Sequence, residues 1–277
     1  AIPLKGFETV QPIYQFTKGL LNKEPDLQVD SDHMMVISPD EGGMGRAIDG
    51  SYAEYMLIKE SNLIPFDSNL DWSVVGALPE MLQTAYGSIT QGLHIQAGDF
   101  LLVRGGSSTV GLMASVLAHH MGAKVIATTR NAAKLEAMQK LGIDYPVLDN
   151  QDFADHVKKV APTKVDKVLE LVGFSTLFQD MGLVKKGGLT CFTGALGGQW
   201  TLDNFSPFMI PTGVYLTSYA GETKDLPAKY FHHVLKLIED HQLTVPIAKV
   251  YHGLGEVGQA QANLESGQFS GKHVVVL

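Results

Sequence analysis

Glycine and hydroxyl residues gather in one stretch, Gly105-Gly-Ser-Ser-Thr-Val-Gly111. It follows the apolar run Phe100-Leu-Leu-Val103 and opens a run with helical spacing, Val110 to His120. A strand, a turn of this composition and a helix together make an anion site. In such a turn Gly106 permits the tight bend and the middle position lets backbone amides approach a phosphate. Gly111 lets helix and strand pack closely, and the phosphate rests on the positive helix end. In this setting Gly106-x-Ser108-x-x-Gly111 reads as a dinucleotide fingerprint. Ser108 replaces the usual middle glycine, so its hydroxyl either crowds the phosphate or donates to it. The competing reading is a glycine-rich turn that holds no ligand.

The next strand ends at Thr128-Thr-Arg-Asn131, where an NAD site carries Asp or Glu to hold the ribose hydroxyls. Neither is present. Arg130 and Lys134 offer two cations for a ribose 2′-phosphate, which predicts NADPH; solvated charges at a helix end are the alternative. Two later strands end at Val172-Gly173 and Thr193-Gly194-Ala195, and ligands of open α/β sheets bind outside such carboxyl ends. These five residues are expected to line the nicotinamide.

Other chemistries find no support. His119-His120 and His232-His233 are adjacent on helical runs, so their side chains diverge by about 100° and do not share a metal. There is no H-E-x-x-H and no G-x-S-x-G elbow. The one cysteine, Cys191, sits in an apolar run and reads as a buried, inert thiol. A net charge of -8 without a basic run argues against nucleic acid and anionic membranes. No apolar stretch is long enough to span a bilayer, and Ala1 to Gly6 has no signal-peptide pattern, so a cytoplasmic protein is expected.

The elements that must position these residues alternate from about Asp99 onward. Strand runs at Phe100–Val103, Lys124–Thr128, from Val147, Lys167–Val172, Gly188–Thr193 and Gly213–Thr217 are separated by helical runs at Val110–His120, Ala132–Leu141, Phe153–Val160 and Thr176–Leu183. Six strands with helices between them predict a doubly wound parallel sheet, a Rossmann α/β domain. Before about Gly92, short alternating runs such as Ser51 to Ile58 with frequent Gly and Pro predict a small β-rich domain. The tail offers helices at Tyr230–Asp240 and Gly255–Leu264 and a last strand, His273–Leu277.

Assembled, the motifs resemble a known family. Gly50-Ser-Tyr-Ala-Glu-Tyr55, Ala77-Leu-Pro79, Thr84-Ala-Tyr-Gly87, the turn Gly105 to Gly111, the run Val125 to Leu135 and Gly271-Lys-His-Val-Val275 occur in the order and setting of medium-chain dehydrogenase/reductases. The chain is most similar to their zinc-free, quinone oxidoreductase-like branch. That resemblance implies a GroES-like domain from residues 1–91 with 222–277, beside a Rossmann domain of residues 92–221. It implies a metal-free hydride transfer from NADPH to a small quinone or enone. It places Thr84 and Tyr86 near the nicotinamide, Ser107, Ser108, Thr109, Val110 and Gly111 on the pyrophosphate, and Arg130 with Lys134 on the 2′-phosphate. It also implies a homodimer made by pairing Val214 to Thr217 across a two-fold axis. Ala1 to Leu4 resembles the family's opening strand, but Gln11 to Asp32 does not read as the strands that should follow, so the first domain is short.

No catalytic side chain is demanded, since the cofactor carries the chemistry. Tyr52 and Tyr86 are candidate donors to a developing oxyanion, though each is better explained as a buried tyrosine with a local partner. Two other functions stay open: an enoyl-thioester reductase, and a nucleotide-binding regulatory or structural protein without catalysis.

Overall fold

A computed structural model describes residues 34–36 and 62–277 and divides the chain into two units, residues 1–69 and 70–277. In the first unit β1 (Met34–Val36) pairs antiparallel with β2 (Leu63–Pro65), Met35 opposite Ile64. The expected strand at Ser51 to Ile58, Tyr52 within it, and the stretches Ala1 to Leu4 and Gln11 to Asp32 lie outside the described residues.

The second unit is built on a six-stranded parallel sheet of order β5-β4-β3-β6-β7-β8. Its strands are β3 (Phe100–Arg104), β4 (Lys124–Thr129), β5 (Tyr145–Leu148), β6 (Val165–Glu170), β7 (Val184–Phe192) and β8 (Tyr215–Ser218). Strands covered on both faces read as continuous apolar runs rather than alternating ones. Accordingly Leu101, Leu102 and Val103 of β3 and Val125, Ile126 and Ala127 of β4 are all fully buried.

Before β3 come α1 (Trp72–Ala77), capped by Asp71, and α2 (Pro79–Gly87). α3 (Thr109–His120) follows β3 and buries every residue from Gly111 to Ala118. α4 (Leu135–Lys140), α5 (Phe153–Val160) and α6 (Phe174–Met181) follow β4, β5 and β6. α5 and α6 bury Phe153, Val157, Leu177 and Met181 against Leu102, Ile126 and Val168. Each such side chain contributes about 1.5–3 kcal/mol by leaving water. From β3 the chain winds outward through β4 to β5, then returns to the other side of β3 for β6 to β8. That reversal opens a crevice at the carboxyl ends of β3 and β6.

The structure departs from expectation in local ways that have physical reasons. The helix expected over Ala132–Leu141 is a 3₁₀ turn, Ala132–Lys134, followed by α4, because the Asn131 side chain accepts the N–H of Ala133 and tightens the first turn. β6 ends two residues earlier than expected, at Glu170, whose carboxylate takes the next amides out of the ladder. The third strand ends at Leu148 rather than beginning near it.

In the tail, α7 (Ala228–Glu239) and α8 (Val257–Glu265) appear as expected. Between them lies a strand the sequence reading missed, β9 (Ile247–His252). The terminal strand β10 (Lys272–Val276) pairs with it in parallel. After α2 the chain widens into one π turn, Ser88–Gly92. There the hydroxyls of Ser88 and Thr90 donate to the carbonyls of Thr84 and Tyr86 at 2.7 and 2.6 Å. Among the described residues no helix is long and apolar enough to cross a membrane.

Candidate functional site

The turn between β3 and α3 is packed so closely that its glycines have no substitutes. Gly105 has φ of +75°, a region glycine adopts freely. A Cβ on Gly106 would lie 2.7 Å from both the Ala127 Cβ and the Thr128 nitrogen, and one on Gly111 would lie 2.5 Å from the Gly105 carbonyl oxygen. Thr128 at the end of β4 holds the turn from below: its hydroxyl accepts from Gly105 N–H at 3.0 Å and its carbonyl from Ser107 N–H at 3.1 Å.

Ser108 is the N-cap of α3. Its hydroxyl donates to the Gly105 carbonyl at 2.8 Å and accepts from Gly111 N–H at 3.1 Å. In this arrangement the hydroxyl serves as a cap that rigidifies the turn. Among the described residues the first-turn amides of Thr109 and Val110 have no protein acceptor, and they stand at the positive end of a 12-residue helix.

Past β4, Arg130 is exposed and among the described residues unpaired. Lys134 is different. It is partly buried, and its ammonium donates to the carbonyls of Gly267 at 2.6 Å and Phe269 at 2.8 Å. Desolvation pushes its pKa down.

The loops after β6 and β7 meet. Leu196 and Gly197 donate their N–H groups to the carbonyls of Leu171 and Val172 at 2.9 and 2.8 Å, and Thr193 and Gly194 both donate to the Glu170 carbonyl. Gly173 has φ of +115°, and a Cβ there would lie 2.8 Å from the Gln199 carbonyl. Val172, Gly173, Thr193, Gly194 and Ala195 are thus brought together, beside Gly105, whose missing Cβ would touch Val172 and Leu196.

Beneath them lies a buried charge cluster that the sequence reading did not single out. The Glu170 carboxylate is fully buried and accepts from the N–H groups of Val172 and Gly173 and from the Thr176 hydroxyl at 2.7, 3.0 and 3.1 Å. Arg104 donates to Asp180 at 2.9 Å and Asp149 at 3.0 Å, its guanidinium 3.9 Å from the Phe153 ring centre. Burial first, then Glu170 beside it, raises the Asp180 pKa well above the usual carboxylate range. That direction favours the protonated form of Asp180, which limits the like-charge repulsion in the cluster. The available signal was a charged residue at each of two apolar strand runs, Arg104 directly after Phe100–Val103 and Glu170 inside Lys167–Val172.

At the end of α2 the Ser88 hydroxyl lies 3.1 Å from that of Thr193, which tethers the helix bearing Thr84 and Tyr86 to the end of β7. Thr84 donates to Glu80 at 3.4 Å, and Lys272 reaches Glu80 at 2.8 Å. The Tyr86 ring stacks on Tyr230 of α7, 3.8 Å between centres. Gly87 packs on the Tyr219 side chain, which accepts a hydrogen bond from Gln83 at 3.1 Å. Cys191 is buried, and that burial pushes its thiol up to about 11. Among the described residues no group of three His, Cys, Asp or Glu is arranged to hold a metal ion.

Residues 109–239 match the zinc-binding dehydrogenase family. A quinone oxidoreductase of Pongo abelii is 30% identical over 156 residues, covering 54% of this chain and 46% of that protein. Residues 109–239 are thus similar to zinc-binding dehydrogenases, and the chain is similar to quinone oxidoreductases. An NADPH-dependent alkenal/one oxidoreductase of Arabidopsis thaliana is 30% identical over 149 residues, covering 53% of this chain and 37% of its own length. The matches therefore span less than half of either relative. The solved Escherichia coli quinone oxidoreductase complexed with NADPH shares the medium-chain fold at a TM-score of 0.70 and 20% identity, covering 78% of this chain and 68% of that one.

Proposed function

We propose that this chain is a medium-chain reductase that binds NADPH in the crevice at β3 and β6 and reduces small quinones or conjugated carbonyls without a metal. The observation that carries the reading is the glycine-packed, Ser108-capped turn at the sheet's reversal point, followed at the end of β4 by Arg130 with no carboxylate near it in sequence. The cradle fits a pyrophosphate: side chains are excluded at Gly106 and Gly111, and the amides of Thr109 and Val110 are free to donate.

In this reading Gly106, Ser107, Ser108, Thr109, Val110 and Gly111 form the pyrophosphate cradle, and Arg130 meets the ribose 2′-phosphate with the remaining donor of Lys134 beside it. Val172, Gly173, Thr193, Gly194 and Ala195 wall the nicotinamide end, with Thr84 and Tyr86 nearby on α2. When bound, the nicotinamide supplies the hydride. The chain's own contribution is position: Glu170 fixes the Val172-Gly173 turn, and the loop from Thr193 to Gln199 lies over it. The names of the Pongo abelii and Arabidopsis thaliana relatives support the substrate class. A single cysteine, buried in β7, leaves no cysteine-rich zinc set, which supports the metal-free reading.

The substrate lobe is proposed as residues 1–91 with 222–277, and the nucleotide domain as 92–221. A homodimer is proposed through β8, the edge strand of the sheet. Tyr215 is 62% exposed there, and Phe208 nearby in sequence is 98% exposed.

Fluorescence titration with NADPH and NADH, followed by a simple quinone in the same cuvette, tests the reading. Tighter binding of NADPH and its oxidation on adding quinone are expected. Binding of neither nucleotide refutes it, and binding without oxidation by quinones or enones refutes the catalytic part.

A further inference from the structure

The segment between α8 and β10 has little structure of its own, yet it is fastened at two places beside the nucleotide crevice. Gly267 and Gly271 have φ of +63° and +112°, so the backbone turns sharply at both ends of the segment. Among the described residues the carbonyls of Gly267 and Phe269 have one donor, the Lys134 ammonium, 133 and 135 positions away in sequence. Two residues further on, the Thr109 hydroxyl donates to the Gly271 carbonyl at 3.4 Å. The segment therefore runs from the turn after β4 to the first residue of α3.

A lysine ammonium has three donors, and two are spent here on main-chain oxygens. An ammonium partly withdrawn from water keeps its charge where such oxygens replace the lost hydration. Arg130, four residues earlier, is exposed and has no such engagement among the described residues.

We propose that Lys134 is a positioning residue that straps residues 267–271 along the adenosine side of the nucleotide site, supporting NADPH and NADH alike while Arg130 discriminates between them. The inference rests on the nucleotide reading above. NADH lacks the 2′-phosphate, so any loss of NADH affinity on removing the ammonium reports the strap and not a phosphate contact.

Two measurements on the full chain test it. Without nucleotide, deuterium exchange of the backbone amides of residues 267–271 is expected to accelerate in Lys134→Met and to return to the parent rate in Lys134→Arg, which keeps charge and donors. NADH affinity is expected to fall about tenfold in Lys134→Met, the loss of one charge-assisted hydrogen bond's worth of order. It should recover in Lys134→Arg, while Arg130→Ala weakens NADPH alone. Unchanged exchange in Lys134→Met overturns the strap, and faster exchange with unchanged NADH affinity overturns its positioning role. If the parent protein binds neither nucleotide, the nucleotide reading fails, while the exchange comparison still decides whether Lys134 fastens the segment.

Discussion

The carboxylate of Glu170 accepts the backbone N–H of Gly173 at 3.0 Å, so the residue that ends a buried strand sets the turn that follows it. Glu170→Ala strands two amide donors, each costing about 1–3 kcal/mol if left unsatisfied in the interior. The variant is expected to lose roughly 2–5 kcal/mol in urea unfolding. Glu170→Gln keeps an acceptor oxygen for the turn and is expected to lose under about 2 kcal/mol. Equal losses in the two variants would show that the turn does not depend on that oxygen.

Gly111→Ala is expected to be costly despite its small size. Its new methyl would lie 2.5 Å from the Gly105 carbonyl and 2.9 Å from the Gly106 Cα, backbone atoms that cannot turn aside as a side chain can. A stability loss of about 1–3 kcal/mol is expected from the overpacking. Thermal unfolding by circular dichroism checks it, and an unshifted transition contradicts the close approach of α3 to the turn.

The raised pKa of Asp180 makes stability depend on pH. Its folded pKa is raised above the ordinary 3.8, so the stability it contributes is full below that value and declines as pH rises towards the folded pKa, because only the unfolded chain releases the proton. Asp180→Asn cannot ionise and still offers an acceptor to Arg104. The stability of Asp180→Asn relative to the parent is therefore expected to grow from pH 4 upward. Urea unfolding of both proteins at pH 5 and pH 8 measures it, and a gap independent of pH contradicts a raised Asp180 pKa.

Cys191 is expected to resist thiol reagents. Its pKa of about 11 leaves little thiolate near neutrality, and burial blocks approach. A disulfide-exchange dye is expected to label it only as the protein unfolds in denaturant. Prompt labelling of the native protein at pH 8 would mean that β7 opens readily.

Much of the architecture was readable because parallel strands buried on both faces are short apolar runs, and the helices between them carry their own period. Phe153–Val160 matches residue for residue, and Gly106 and Gly111 declare themselves by type and spacing. Contacts distant in sequence were not readable. Nothing local to Lys134 announces the Gly267 and Phe269 carbonyls, and nothing near Arg104 announces Asp180, 76 positions away. β9 escaped notice because Ile-Ala-Lys-Val-Tyr-His is half apolar and its partner arrives only after α8. Tyr86 shows a further limit: an aromatic ring near a cofactor turn is compatible with several roles, and its stacking on Tyr230 appears only when α7 is in place.

The contact between Gly106 and Ala127 constrains anyone redesigning the turn between β3 and α3. A larger residue at 127 would push into the turn just as a Cβ at 106 would push into β4, so neither position can take a larger side chain. The buried Thr128 is committed twice over, to Gly105 and Ser107. The positions open to redesign therefore begin at Arg130, since variation at 127 or 128 would disturb the turn itself.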